Sequence, residues 1–498
     1  MASLSAARQA AKDLWLSLSL PEASLSRLRF SGDPDIAIDS SFRLGVAAQA
    51  TTGLSGLSAA HFHKLRTGVE QDVAVDARHA VISFHSEAWY TLDGRLPVGD
   101  AWDPIAGLYR TRGDGFVRIH TNFPHHRSGV LNILDVPDSP ATTREDVSKA
   151  LRDWDAVEFE TEAARRGMCV TALRSFKEWD AHPQAKALLG APPVTLHKIG
   201  DAPKREVAQA AMRPLDGIRV LDLSRVLAGP IAGRALGAQG ADVLLVTSPN
   251  LPILPLLDIE TSLGKRTTQL DLTHADERNT LTRLAADADV FLQAYRPGGL
   301  EEQGFGSKKL ARLRPGIVCA NLCAWGWEGP WKDRRGFDSL VQTATGFNVA
   351  EGEAFGELEG SGQSNTVKPR ALPMQALDHA AGYFLAFGIN AALCRTITEG
   401  GSWEVRVSLA AVGQWLRSLG RVSPRAGQPF PPRVFPPHSE IVSLSIPWRQ
   451  SKEGGGRREM TAVKHAAVLE RTPAREGPSG EAPMGLDVHT PTWLPRNC

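Results

Sequence analysis

The spacing of hydrophobic positions changes several times along the chain, and each change predicts a different element. Residues 377–394 are small or apolar almost all the way round at helical spacing, which predicts a helix buried on every side. It opens at Asp378, ends near Arg395 and Thr396, turns at Gly400-Gly401 and feeds a β-like run at 405–409. Upstream, IRVLDL at 218–223 reads as a buried strand, 231–238 as a helix stopped by Gly240, and ADVLLV at 241–246 as the next strand. The pattern then repeats: TTQLDL, a helix over 276–286, ADVFLQAY, a helix over 308–313 and GIVCANL. Strands alternating with helices in this way predict an α/β large domain over 208–425. Its sheet should be parallel and Rossmann-like, with ligands at the strand carboxyl ends.

Before this domain the rhythm differs. Residues 101–207 read as a smaller α+β domain: two strands around Gly113-Asp114-Gly115, a helix after them, a helix over 155–166, the strand MCVTAL and a helix over 175–188. The stretch 190–214 has little periodicity and reads as a linker. Residues 1–44 form a helix-prone leader. Residues 45–100 run helix, Gly68, strand and helix, the order also found from Asp378 to Trp415. Ala48, Gly56, Ala59, Ala60, Gly68, Val73 and Val75 match Ala380, Gly388, Ala391, Ala392, Gly400, Val405 and Val407 at a constant shift of 332 positions. This predicts a partial internal repeat in which Val46 stands opposite Asp378. Residues 426–456, with PFPPRVFPP, read as a Pro/Arg/Gly-rich linker or solvated spacer, and 457–498 as an ordered return segment.

Composition narrows the function classes. A net charge of +1 gives no electrostatic case for nucleic acid or a membrane surface. No run of about 18 apolar residues predicts a membrane span, and the first residues lack the apolar core of a secretory signal. Five scattered cysteines read as reduced thiols, so the expected compartment is the cytoplasm, with the mitochondrion left open. Cys319 and Cys323 lack a second pair at zinc-site spacing. His120, His125 and His126 have no nearby carboxylate or thiol at ligand spacing, so they read as turn or substrate-facing histidines, and no metal is expected. IRVLDL is followed by SRVLAGP rather than GxGxxG, which argues against a nicotinamide cofactor.

Asp378 has two readings. It can cap the buried helix, since aspartate accepts bonds from free N–H groups and suits the positive end of the dipole. It can also be a nucleophile, a carboxylate that attacks an activated carbonyl where the helix meets a cleft. Local sequence does not separate them.

The ordered motifs PLDGIRVLDLSRVLAGPIAGRALGAQGADVLLV, GKRTTQLDL, ADVFLQAYRPGGLEEQGFG, LRPGIVCANLCAWGWEGPWKDRRGFDSLVQTATG and ALPMQALDHAAGYFLAFGINAAL resemble the class III CoA-transferases. That family includes formyl-CoA transferase, carnitine CoA-transferase and α-methylacyl-CoA racemase. Residues 101–200 resemble its small domain and PMGLDVHT its closing element, but the small domain precedes the large one here, so the order looks permuted.

The resemblance implies that Asp378 is the catalytic aspartate. It would move CoA from an acyl-CoA to a carboxylic acid through an anhydride and an aspartyl-CoA thioester. It also implies coenzyme A contacts at Leu227, Ala228, Leu270, Thr273, Ala294, Tyr295, Arg296, Arg335 and Asp338, and an interlocked homodimer. Two departures weaken the CoA site. Ser248 and Glu302 stand where family members commonly carry basic residues, and each lost phosphate contact would cost about 1.5–3 kcal/mol. These departures and the permuted order motivate a second reading, a catalytically silent acyl-CoA-binding protein. A third, racemisation, is opposed by Phe337, which replaces a proton-transferring histidine and carries no exchangeable proton.

Overall fold

The computed structural model describes residues 2–99, 102–206, 211–358, 368–451 and 458–496. The domain boundaries expected at 100/101, 207/208 and 456/457 lie outside the described residues.

The N-terminal part is built on β1 (Leu28–Ser31), α1 (Leu44–Thr67), β2 (Val73–Asp76) and α2 (Ala77–Ser83). Alanine, glycine and small polar residues let α1 bury every position from Leu44 to His63. It stops at Gly68, whose φ of 75° lies in the left-handed region that glycine adopts without strain. The Asp76 carboxylate caps α2 by accepting from the backbone of Arg78 and His79. The leader contributes a helix, Ala2–Ser17, whose Trp15 is buried against Phe387 at a ring separation of 6.0 Å.

A small α+β unit follows. The strands Gly107–Arg110, Phe116–Ile119 and Val170–Ala172 form an antiparallel sheet, covered by Pro124–Ile133, Arg144–Leu151 and Ala156–Arg165 around its own apolar core. The single helix expected over 175–188 is two, Phe176–Ala181 and Pro183–Ala187. Pro183 forces the residue before it, His182, into extended backbone, which ends the first helix.

The expected linker at 190–214 instead contains β3 (Val194–Gly200), which joins the large sheet. Its polar Thr195, His197 and Lys198 hide any period, and a distant partner strand supplies its pairing. The remaining strands are β4 (Arg219–Leu223), β5 (Asp242–Thr247), β6 (Arg266–Gln269), β7 (Val290–Gln293), β8 (Val318–Cys323) and β9 (Ser402–Ser408). They lie in the order β6-β5-β4-β7-β8-β9-β3. All neighbours are parallel except β3, which runs antiparallel to β9. The order reverses between β4 and β7, and in a doubly wound sheet that reversal opens a crevice at the carboxyl ends.

Three helices frame the crevice: α3 (Ala228–Ala238), α4 (Asp338–Ala344) and α5 (Ala376–Thr398). α5 is long and apolar enough to cross a membrane, but it lies in the middle of the molecule, with α1 along one side. It is followed by β9 and α6 (Leu409–Ser418).

The Pro-rich stretch is anchored at its start, where Pro431 is buried, while residues 432–436 are exposed. The Pro429 carbonyl accepts from Arg78, and Phe430 stacks on His85 at 5.1 Å. Strands Ser445–Gln450, Met460–Val463 and Glu481–Ala482 then make a four-stranded sheet with Thr91–Leu92. Residues 452–457 lie outside the described residues. β10 (Ala467–Leu469) pairs antiparallel with β2. The closing segment runs along β6: Thr267 donates to the Gly485 carbonyl, and its own carbonyl accepts from His489.

Candidate active site

A cavity of about 300 Å³ opens where β4, β7 and β8 end, walled on one side by Phe123, His125 and His126 of the small unit. Asp378 lies in the first turn of α5 and lines it. The helix end is not capped by Asp378. The buried Asp338 Oδ2 accepts from the backbone N–H groups of Leu377 and Asp378, at 2.8 and 2.9 Å, and its Oδ1 accepts from Gln342 Nε2. The capping reading of Asp378 is thereby corrected: a residue of α4 does that work. Among the described residues no donor is bonded to the Asp378 side chain, which keeps 8% of its surface exposed.

Burial pushes the Asp378 carboxyl well above the usual carboxylate range, and the neighbouring Asp338 and Glu87 carboxylates push it further. Asp338 is raised too, chiefly by burial, against the bonds it accepts from Asp378, Gln342 and Leu377. Asp378 is brought close to the loop after β4 by Gly382, where a methyl group would sit 2.7 Å from the Ala228 carbonyl oxygen and 2.8 Å from Ile231.

Of the residues suggested for coenzyme A, Leu227, Ala228, Ala294, Tyr295, Arg296 and Arg335 line the cavity with Asp378. The other three are placed elsewhere. Leu270 is buried in the core beside the sheet, Thr273 donates to Asp271, and Asp338 faces the end of α5. Ser248 lies in a narrow recess next to Arg225, and Glu302 is exposed in the short helix Gly299–Glu302.

The cavity wall carries four guanidinium groups, Arg225, Arg296, Arg334 and Arg335, against one carboxylate, Asp378. Such a wall attracts phosphates and carboxylates. Arg225 sits over the Phe123 ring at 4.9 Å. Arg335 donates to His126 Nε2 at 3.0 Å, and since a guanidinium only donates, that nitrogen is the acceptor. Burial, then His125 and Arg335, push His126 down to about 3, so the ring is neutral at pH 7. Phe337 lies parallel to His120 at 3.7 Å.

Residues 215–438 match the family model described as CoA-transferase family III. That segment is similar to the CoA-transferase family III domain. The chain is 28% identical over 428 residues to an acyl-CoA transferase of Gibberella moniliformis, covering 78% of this chain and 73% of that protein. It is 33% identical to a probable fatty acyl-CoA transferase of Mycobacterium tuberculosis, covering 44% and 58% respectively. Identity to the succinate–glutarate CoA-transferase of Agrobacterium fabrum is 30%, over 40% of this chain and 52% of that one. A crystal structure of a hypothetical protein from Mycobacterium tuberculosis aligns with 42% of this chain and 59% of that one, at 33% identity and a TM-score of 0.37. The chain thus spans between about half and three quarters of the length of these relatives.

Several cavity residues had no local signal. Val226 holds a φ of 72°, strained for a β-branched residue, at the turn that delivers Leu227 and Ala228 to the cavity. Arg225 and Arg334 were equally silent, because an exposed arginine and a cavity arginine look alike in a sequence, whereas His125 and His126, read as turn or substrate-facing, do line the cavity.

Proposed function

We propose that the protein is a CoA-transferase of family III in which Asp378 is the nucleophile. The observation that carries this reading is the free Asp378 carboxylate, at a helix N-terminus, in a cavity whose other charged side chains are arginines. An ionised Asp378 oxygen attacks the thioester carbonyl; the carbon–sulfur bond breaks and the CoA thiolate leaves, giving a mixed anhydride. The thiolate then attacks the Asp378 carbonyl carbon, releasing the donor acid and leaving an aspartyl-CoA thioester. An acceptor carboxylate reverses both steps, and the acyl group departs as a new CoA ester. Every intermediate stays activated, so ATP is not required.

The four arginines support the reading by holding CoA phosphates and the entering carboxylate. The backbone N–H groups at the start of α3, Ala228 among them, provide donors for the oxyanions formed during attack. Phe337, stacked on a histidine pushed down to about 3 by burial, offers no proton relay for racemisation. The four described cysteines are free and buried, which supports a reducing compartment such as the cytoplasm. A homodimer of the kind the family resemblance implies must use surfaces other than the side of α5 that α1 already covers.

The test is intact-protein mass spectrometry after mixing with acetyl-CoA and octanoyl-CoA, followed by hydroxylamine trapping and peptide mapping. A CoA or hydroxamate adduct on the peptide carrying Asp378, lost in Asp378→Ala, is the expected result. Binding of CoA esters without any adduct would instead leave a silent binder.

A further inference from the structure

The shift of 332 positions carries α1 onto α5, β2 onto the end of β9 and α2 onto the start of α6. The surroundings follow the same rule. β1 lies parallel to β2 as β8 does to β9, and β10 lies antiparallel to β2 as β3 does to β9. Ala467 stands opposite Val75, and Val194 opposite Val407. A methyl group on Gly56 would meet Val73 at 2.8 Å and Ala467 at 3.0 Å; one on Gly388 would meet the equivalent Val405 at 2.5 Å and Val194 at 3.0 Å. Both helices end through left-handed glycines, Gly68 at φ 75° and Gly400 at φ 74°.

Asn390 and Ser58 are equivalent under this shift, and Asn390 Nδ2 donates to Ser58 Oγ at 3.3 Å. A position that touches its own equivalent lies on the axis of a two-fold pair. The two units therefore face each other as the halves of a symmetric dimer would, within one chain.

They differ where the chemistry lies. Asp378 and His379 correspond to Val46 and Ala47, so the first unit has no carboxylate to offer. It provides something else. Glu87, in the short turn after α2, reaches across the axis and accepts from His379 Nε2 at 3.0 Å, while its other oxygen accepts from His85 Nδ1 at 3.2 Å. Its counterpart in the second unit is Leu419. His379 is buried against the Phe84 ring at 5.5 Å, directly after Asp378 in the first turn of α5.

We infer that residues 28–92 are a degenerate second copy of the catalytic unit, and that Glu87 is its contribution: a positioning residue that holds His379, and through it the turn bearing Asp378. This rests on Asp378 being the nucleophile. The charged and titratable groups around the pair are Asp378 and Asp338, His85 beside Glu87, and the Arg234–Glu260 ion pair, whose Arg234 also donates to Ser86. Burial opposes ionisation of Glu87, but His379 and His85 outweigh it and hold the carboxyl below its ordinary range. A charged Glu87 opposes ionisation of Asp378.

The test uses the full chain and single-turnover adduct formation with acetyl-CoA and octanoyl-CoA, followed by intact mass across pH. Glu87→Gln is expected to slow adduct formation about 10- to 100-fold, the loss produced by small misplacement of a reacting group. It should also move the acid limb to lower pH, because a negative charge beside Asp378 is gone. The apparent KM for either ester should stay at the wild-type value, since Glu87 does not line the cavity. Glu87→Asp should restore part of the rate, and His379→Gln combined with Glu87→Gln should be no slower than the slower single variant.

Circular dichroism melts measure the folded fraction of each variant. A Glu87→Gln protein that is folded and matches wild type in rate and pH profile overturns the assignment while leaving Asp378 as nucleophile. So does a rate loss that only follows the folded fraction, with the acid limb unmoved. A wild-type chain that forms no adduct overturns both.

Discussion

α1 and α5, of 24 and 23 residues, end at equivalent glycines and lie against equivalent strands, yet only α5 starts with a carboxylate at a cavity. The difference is confined to the helix start. At α5, Asp338 takes the first N–H groups and Asp378 is left facing a cavity. At α1 the chain lies across the same place: Gly45 is so close to Pro34 that a methyl group would sit 2.0 Å from its carbonyl oxygen, and Val46 is fully buried. A helix scaffold is thus reusable without its function; the open space and the borrowed cap make the carboxylate useful.

The comparison breaks most visibly at Asp378, the proposed nucleophile. Asp378→Asn should keep the fold and lower transferase turnover by about four orders of magnitude, the scale seen on removing a nucleophile, as measured by CoA transfer between a labelled ester and free acid. Next in size is the reverse experiment. Val46→Asp puts a carboxylate where no cavity receives it and should cost about 3–5 kcal/mol in urea unfolding, as an unpaired buried charge does.

A third test sharpens the likeness instead. Gly388→Ala and Gly56→Ala push a methyl into equivalent valines and should each cost about 1–3 kcal/mol, the former more because its approach is closer, 2.5 against 2.8 Å. The melting midpoints decide the order. The smallest effect is on pH. Raised pKa values mean that Asp378 loses its charge at a higher pH than an ordinary carboxylate, so activity should fall on acidification while free aspartates remain ionised. Removing a neighbouring charge with Asp338→Asn should move that acid limb to lower pH. Adduct rates measured between pH 4 and 8 would show it.

Much of this was legible in the chain. The parallel strands are continuous apolar runs bounded by helices, so β4, β5, β7 and β8 declare themselves locally. Asp378 was found because α5 is apolar on every side and a charge at its start stands out. What stayed hidden depends on partners far along the chain. β3 is a strand because β9 lies beside it, and its own residues are too polar to announce it. Asp338 grouped with the coenzyme A segments by motif, but its carboxylate meets backbone N–H groups 39 and 40 residues away. Glu87 and His379 are 292 residues apart, and neither type nor spacing links them. The Pro-rich stretch looked like a spacer because proline removes periodicity whether or not a segment packs.

The hydrogen bond between Asn390 and Ser58 has a consequence for inheritance. In an assembly of two identical chains a substitution at the axis appears on both sides at once, so each side chain there faces its own copy. One chain holding both units escapes that rule: each position is encoded once, and selection can make one side asparagine and the other serine. The same freedom lets one half give up its acid while the other keeps it. A gene arranged in this way can specialise its halves without ever passing through a protein in which both sites are lost.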